Sequence, residues 1–155
     1  MICAIGQDSH RFDNENLEKA LVLGGLLIED HQGLKGNSDA DVVLHAITNA
    51  ISGITGVNIL GNIADKMCNE NGITDSKAYL LEAMKYLEKE ICHISVSIEC
   101  KTPHLEKIIP AMKENIASIL NLKSSNIGIT ATTGEGLTDF GRGLGIQCFC
   151  IINVQ

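Results

Sequence analysis

The alternation of apolar and polar residues between Ile94 and Cys100 constrains the fold of this chain more than any other feature. Isoleucine, valine or cysteine occupies every second position of the segment, and serine or glutamate occupies the others. A period of two is that of a β-strand with one buried and one exposed face. Pro103 follows and ends the strand, because proline cannot donate to a sheet ladder. The chain is therefore expected to contain a sheet covered on one face.

Other apolar patterns predict further strands and the helices that cover them. Strands are predicted over residues 2–7, 127–133 and 145–154, with a hairpin or adjacent pair of strands over 21–28 around Gly24 and Gly25. Helical spacing predicts three helices: one capped by Ser38 or Asp39 and ending near Gly56, one capped by Asp75 or Ser76 and reaching Ile91, and one over 106–122. Residues 58–75 are predicted to form a long loop with at most a short turn of helix.

The order of these elements predicts the fold class. Strands, two helices, a strand, a helix and two strands in succession are typical of an α+β fold. We expect a single sheet with helices packed on one face, a ferredoxin-like sandwich. The length of 155 residues fits one domain spanning residues 1–155.

Charge and composition exclude two classes of partner. Twelve Lys and Arg against nineteen Asp and Glu give a net charge of −7, which argues against a nucleic-acid binder. Aromatic residues make up only 3% of the chain and tryptophan is absent, so base-stacking platforms have little to be built from. No apolar run approaches the roughly 20 residues that a membrane span needs. We therefore expect neither a nucleic-acid nor a membrane partner.

Cysteine usage predicts a reducing compartment. The six cysteines form no C-x-x-C pair, and free cysteine usually behaves as a small buried hydrophobe. Cys148 and Cys150 lie two residues apart in an apolar strand and would share one face. We expect reduced thiols and a cytoplasmic protein.

Three residues form a candidate metal site. Asp8 and His10 lie two apart at the end of the first strand, so their side chains share one side. His45 lies within the first helix and could turn toward them. Two imidazoles and a carboxylate with an open fourth position are typical of a catalytic zinc site. The spacing also fits a simpler interpretation, in which Asp8 and His10 cap a loop and His45 is a core residue.

Two polar segments are candidates for binding phosphate. Residues 37–41 lead into the first helix, so backbone N–H groups and the Ser38 hydroxyl could receive a phosphate, although an ordinary helix cap explains the segment equally well. Residues 131–145 contain five glycines, two adjacent threonines, Glu135 and Arg142. They could cradle phosphates, with Glu135 holding a hard divalent cation. A plain glycine-rich connection between two strands is the alternative.

Taken together, these motifs resemble the 2-C-methyl-D-erythritol 2,4-cyclodiphosphate synthase family of the non-mevalonate isoprenoid pathway. The likeness spans nearly the whole chain. Its marks are Asp8-x-His10, Gly24-Gly25, Ser38-Asp39-x-Asp41 leading to His45, Asp75-Ser76, the Pro103 turn, Ala131-Thr132-Thr133-x-Glu135 and Gly141-Arg142-Gly143-x-Gly145.

The resemblance implies a metal-dependent phosphorus–oxygen lyase. In the implied reaction, the 2-phosphate of 4-diphosphocytidyl-2-C-methyl-D-erythritol 2-phosphate attacks the β-phosphorus, closes a cyclic diphosphate and expels CMP. The resemblance also implies a homotrimer with active sites between subunits, Zn²⁺ on Asp8, His10 and His45, and Mg²⁺ or Mn²⁺ on Glu135 and the substrate phosphates. Two cations suit this chemistry because both reacting groups are anionic phosphates.

The resemblance further implies roles for individual residues. Glu135, Thr133 and Ser38 match positions of the catalytic site. The remaining substrate-binding residues it implies are Asn37, Asn62, Ala64, Cys100, Pro103, His104, Leu105, Ala131, Thr132 and Arg142. Several of these depart from the family pattern: Asn37 replaces a histidine, Asn62 and Ala64 replace aspartate and glycine, and His104 replaces lysine.

These departures leave two alternatives to the synthase. A zinc-dependent phosphodiesterase on the same scaffold would use water as the nucleophile and give a linear product. A catalytically inactive trimer would keep the fold as a binding protein. Retention of all three zinc ligands and of Glu135 favours the synthase.

Overall fold

The computed structural model describes residues 1–155 as a mixed sheet, a separate hairpin and four α-helices. The strands are β1 (Ile2–Arg11), β2 (Ala20–Leu23), β3 (Leu26–Gln32), β4 (Ile91–Glu99), β5 (Ile127–Thr132) and β6 (Gly145–Val154). The helices are α1 (Val42–Thr55), α2 (Asn62–Asn71), α3 (Ser76–Met84) and α4 (Ile109–Leu120). No helix is both long and apolar enough to cross a bilayer.

The α+β class is confirmed, but two details of the predicted architecture are wrong. The main sheet has four strands in the order β1-β6-β4-β5, and β2 and β3 form a second sheet of their own, so the sheet is not single. Strands β4 and β5 are parallel and joined through α4, whereas β6 is antiparallel to both its neighbours. The main-sheet strands therefore follow a β-α-β-α-β-β order, which differs from the β-α-β-β-α-β order of ferredoxin-like folds.

The helices cover one face of the main sheet, as predicted. Alternate residues of β4 and β6 point into the core, including Val96, Ile98, Cys148 and Cys150, each at most 1% exposed. The opposite face carries Ile5, Phe149 and Ile151, which are 63%, 41% and 42% exposed. Period-two patterning thus places one apolar face under the helices and leaves the other open.

A glycine sets the distance between α1 and the sheet. A Cβ atom on Gly6 would lie 2.0 Å from the carbonyl oxygen of Ala46 and 2.4 Å from the backbone nitrogen of Ala50. Contacts this short are with backbone, which cannot rotate away. Strand β1 and helix α1 therefore touch directly, and this close approach brings the helix residue His45 beside Asp8.

The boundaries differ from prediction mainly where apolar periodicity is weak. Residues 62–71 form α2 rather than a loop; this helix buries only Ala64, so it lacks the apolar stripe that reveals a helix in sequence. Strand β1 continues past Gln7 to Arg11. Helix α3 stops at Met84 and does not reach Ile91, which is the first residue of β4. The hairpin prediction at 21–28 is confirmed, with Gly24 and Gly25 at φ 60° and 76° in its turn.

Candidate active site

Strand β1 and helix α1 bring the three predicted metal ligands together. Asp8 Oδ2 lies 2.9 Å from His45 Nδ1 and 3.2 Å from His10 Nε2. One potential ligand atom from each residue lies within 4.8 Å of the others. This convergence of two partly buried side chains and one buried side chain favours a metal site over the interpretation in which they cap a loop and fill the core.

The outward nitrogens of both imidazoles are also bonded. His10 Nδ1 donates to the carbonyl oxygen of Lys35 at 2.6 Å, and His45 Nε2 lies 2.8 Å from the Ser76 hydroxyl. A carbonyl oxygen only accepts, so Nδ1 of His10 carries the hydrogen and Nε2 faces Asp8. Such outer contacts fix the orientation of metal-binding histidines. The donor set of one carboxylate and two oriented imidazoles fits a divalent cation.

The electrostatics of the cluster match its geometry. Burial acts to raise the pKa of Asp8, but hydrogen bonds from His10 and His45 and attraction to both outweigh burial and lower that pKa from 3.8 to about 2. The pKa of His10 is raised, chiefly by its hydrogen bond to Asp8 and against the effect of burial. The carboxylate therefore stays charged, which favours the binding of a cation beside it.

A cavity of about 400 Å³ opens over this cluster. Its wall contains Asn37, Ser38 and Ala64, which the resemblance had indicated, but not Asn62, which is exposed at the start of α2. Sequence reasoning had not identified as site residues the other polar or aromatic side chains of the wall, which are Asn49, Asp65, Cys68 and Tyr79. Two of these belong to α2, so they were hidden by the failure to predict that helix.

The segment before α1 is built differently from the prediction. The N-cap is Asp41, rather than Ser38 or Asp39, and its carboxylate accepts from the backbone N–H groups of Val43 and Leu44, both at 3.0 Å. These N–H groups are thus not free for a phosphate. Ser38 Oγ accepts from the Ala40 N–H at 3.0 Å and still faces the cavity.

A second cavity, of about 470 Å³, gathers most of the other predicted substrate-binding residues. It lies between the segment after β4 and the end of β5, which are neighbouring parallel strands. The cavity is lined by Cys100, Pro103, His104, Leu105, Glu106, Ile109, Ala131, Thr132 and Thr133. Seven of these nine residues, all except Glu106 and Ile109, are ones that the resemblance indicated for catalysis or substrate binding, and they share one concavity.

Glu135 and Arg142 lie outside both cavities. Glu135 is exposed in the short turn after Thr133, with φ 50°, a left-handed conformation that costs a non-glycine residue about 1 kcal/mol or more. Its backbone N–H donates to the Thr133 hydroxyl at 3.4 Å. Arg142 pairs with Asp139 at 2.7 Å. The turn thus holds Glu135 next to the second cavity.

Both cavities lie at the same end of the strands of the main sheet. Asp8 and Ile98 both pair with Cys148, so β1 and β4 run side by side at one level with β6 between them. At about 4.8 Å per strand, β1 lies about 10 Å from β4 and about 14 Å from β5. The two cavities share no lining residue and occupy opposite margins of the sheet.

Comparison with known proteins gives a consistent match along the whole chain. The YgbB family model matches residues 1–155. A relative from Chlamydia felis named 2-C-methyl-D-erythritol 2,4-cyclodiphosphate synthase is 49% identical over 153 residues, which is 97% of this chain and 87% of the relative.

Solved structures share the fold. The bifunctional IspDF from Campylobacter jejuni matches with a TM-score of 0.86 and 30% identity, covering 98% of this chain and 41% of that one. The complex of Plasmodium falciparum IspF with CDP matches with a TM-score of 0.81 and 27% identity, covering 97% of this chain and 92% of that one.

Proposed function

Because this chain belongs to the YgbB family, we propose that it converts 4-diphosphocytidyl-2-C-methyl-D-erythritol 2-phosphate to 2-C-methyl-D-erythritol 2,4-cyclodiphosphate and CMP. It is a lyase of the non-mevalonate isoprenoid pathway, and its curated relatives are named 2-C-methyl-D-erythritol 2,4-cyclodiphosphate synthases. An oxygen of the 2-phosphate forms a bond to the β-phosphorus, and the bond from that phosphorus to the bridging oxygen breaks, so CMP leaves with the electron pair. The observation that carries the proposal is the Asp8, His10 and His45 cluster beneath an open cavity.

The first cation of the proposal is Zn²⁺ on Asp8, His10 and His45. Imidazole nitrogens and a carboxylate oxygen are ligands that zinc prefers, and three protein ligands leave a fourth position for substrate. The second cation, Mg²⁺ or Mn²⁺, is assigned to Glu135, whose exposed carboxylate is a hard oxygen ligand. Bound cations of this kind offset the charge of the phosphates and act as Lewis acids.

The second cavity is assigned to the cytidine moiety. Relatives have been solved with CDP, and their fold extends over nearly all of this chain. Ala131 and Pro103 offer apolar contact, while the Thr132 and Thr133 hydroxyls can donate to a phosphate or ribose oxygen. His104 also lines this cavity, where it can donate one hydrogen bond without the fixed charge of a lysine.

The remaining side chains bind and orient the substrate. Ser38 and Asn37 face the metal cavity and can donate to phosphate oxygens. Thr133 and Glu135, at the mouth of the other cavity, would hold the diphosphate where the leaving group departs. Arg142 and Asn62 are assigned to substrate only by resemblance, since neither lines the metal cavity or the cytidine cavity.

We further propose a homotrimer with active sites between subunits. The open face of the main sheet, with Ile5, Phe149 and Ile151 exposed, offers a surface for other copies of the chain. In a closed ring, each contact joins different surfaces of two neighbours. The β1 margin of one subunit, which carries the metal ligands, would then lie beside the β5 margin of the next, which carries the cytidine cavity.

A mixing experiment tests this shared site. His45→Ala removes the metal site and Ala131→Trp fills the cytidine cavity, so each variant alone should be inactive. After the two are co-refolded in equal amounts, random assembly should restore about one quarter of the sites if each site draws on two subunits. No recovery in trimers shown to be mixed would place both halves of the site within one subunit.

The reaction itself is tested by phosphorus NMR of the purified protein with substrate, zinc and magnesium. Cyclic diphosphate and CMP should appear in equal amounts. A linear product would indicate the phosphodiesterase alternative, and no turnover by a zinc-loaded protein would indicate the inactive binding protein. Neither alternative is favoured by the named relatives.

We assign the protein to the cytoplasm. All six cysteines are free, and three of them, Cys100, Cys148 and Cys150, are buried. Burial raises the pKa of the Cys100 and Cys150 thiols to about 11 and about 12, which keeps them protonated and unreactive. Free buried thiols are typical of reducing compartments.

A further inference from the structure

Ser76 connects the metal cluster to a carboxylate outside it. It is the first residue of α3 and is fully buried. Its hydroxyl lies 2.8 Å from His45 Nε2 and makes a short hydrogen bond to Asp39 Oδ1. Its backbone N–H also donates to Asp39 Oδ2, at 3.0 Å. The cap of α3 is the preceding residue, Asp75, so the Ser76 side chain is free for these contacts.

The direction of these hydrogen bonds follows from the number of hydrogens. A serine hydroxyl has one hydrogen, and a carboxylate oxygen can only accept. The Ser76 hydrogen therefore points at Asp39, and the Ser76 oxygen must accept from His45. Nε2 of His45 then carries a hydrogen, and the ring presents Nδ1 to Asp8, at 2.9 Å.

We propose that Ser76 and Asp39 are positioning residues for His45, holding its ring in the tautomer and orientation that present Nδ1 to the divalent cation. This inference rests on the proposed metal site but not on the proposed reaction. Outer hydrogen-bond partners of metal-binding histidines affect metal affinity by about 10- to 100-fold. The charge of Asp39, relayed through the hydroxyl, also makes the His45 ring a better donor to the cation.

The chain of hydrogen bonds from Asp39 through Ser76 to His45 links the segment before α1, the start of α3 and the metal cluster. Asp39 belongs to the same segment as Asn37 and Ser38, which face the metal cavity. Its carboxylate also accepts from the Asp41 N–H at 3.1 Å, and its own N–H donates to the Thr74 carbonyl at 2.9 Å. Asp39 is therefore held from both sides, and it fixes the Ser76 hydroxyl rather than following it.

Zinc affinity measures the effect directly. Metal-free protein is titrated with zinc against a chromophoric chelator, which requires no substrate and no turnover. Ser76→Ala should weaken zinc binding by about 10- to 100-fold, and Ser76→Thr, which keeps the hydroxyl, should recover most of the loss. Asp39→Asn keeps an acceptor oxygen but loses the charge, so its loss should be smaller than that of Ser76→Ala.

Thr48→Val is the matched control. Thr48 is also fully buried, lies on the same helix as His45 and bonds only to the Leu44 carbonyl, at 2.7 Å. Removing its hydroxyl should leave zinc affinity unchanged. A loss equal to that of Ser76→Ala would show that any buried hydroxyl matters here, and it would overturn the positioning role.

Nitrogen-15 NMR of the histidine rings in the zinc-loaded protein gives a second readout. Wild type should show Nε2 of His45 protonated and Nδ1 bound to metal, and the exchange of the Nε2 hydrogen should accelerate in Ser76→Ala. Equal zinc affinity and exchange in wild type and Ser76→Ala would refute the inference while leaving the metal site standing. Failure of wild type to bind zinc would instead refute the proposed metal site. If Ser76→Ala does not fold, the comparison of Asp39→Asn with wild type decides the question.

Discussion

Replacing Asp41 with asparagine should destabilise the protein far more than the same change at another helix cap. The Asp41 carboxylate is fully buried and accepts four backbone hydrogen bonds. They come from Gly24 at 2.9 Å, Gly25 at 2.6 Å, and Val43 and Leu44 at 3.0 Å. One side chain therefore joins the β2–β3 turn to the start of α1, the helix that carries His45.

The magnitude follows from the four bonds. Asparagine can keep its oxygen toward Gly24, Val43 and Leu44, but its NH₂ group then faces the Gly25 N–H, donor against donor. Leaving that N–H unpaired costs about 1–3 kcal/mol, and the loss of charge weakens each of the other bonds by about 1 kcal/mol. Burial of the charge, which raises the pKa of Asp41 to about 6, offsets part of this loss when the charge is removed. We therefore expect Asp41→Asn to lower the free energy of unfolding by about 2–3 kcal/mol at neutral pH.

Asp75→Asn is the matched control, because Asp75 caps α3 from an exposed position and accepts one backbone bond, from Lys77 at 2.8 Å. Asparagine caps helices about as well as aspartate, so this change should cost less than about 1 kcal/mol. Urea unfolding of the metal-free protein, followed by circular dichroism, measures both variants. Equal costs for the two variants would refute the argument that Asp41 joins the hairpin to the helix.

Three further outcomes are expected. His45→Ala should abolish zinc binding and activity while the oligomer persists, and an intact rate in this variant would contradict the metal assignment. Zinc affinity should fall as pH is lowered through the raised pKa of His10, since protons and the cation compete for the same nitrogen. In the metal-free protein, the Asp8–His10 pair should stabilise the fold between about pH 4 and 6.5. This stabilisation should be lost at higher pH as His10 deprotonates, and lost toward pH 2 as Asp8 protonates. Phe149→Lys should convert the proposed trimer to smaller species in analytical ultracentrifugation, because it places a charge on the open face of the sheet. An unchanged sedimentation coefficient would show that this face is not the interface.

The parts of the site with strong local patterns were predictable. Asp8 and His10 follow from the period of a strand, and His45 follows from the period of a helix. Their convergence depends on β1 lying against α1, which no local pattern specifies; the resemblance to a family provided it. The parallel pairing of β4 with β5 was likewise outside the reach of periodicity, because it depends on the path of the chain between them.

Two features escaped prediction for physical reasons. Helix α2 is bounded by Gly61 and Gly72 and buries only Ala64, so its sequence resembles a loop. Ser76 was interpreted as a possible cap, yet Asp75 takes that role. The usable signal was the Asp75–Ser76 pair itself: only one of two consecutive polar residues can cap a helix, so the other needs a different partner.

The pairing of β1 with β6 has a consequence for how the protein is made. Every residue from Ile2 to Arg11 pairs with a residue between Gly145 and Val154, so β1 pairs with a strand that is synthesised much later. Contacts of such long sequence separation slow folding and form late. During translation β1 would therefore remain an unpaired strand until β6 has left the ribosome. In that interval the strand is prone to aggregate, and Asp8 and His10 are exposed to free metal ions.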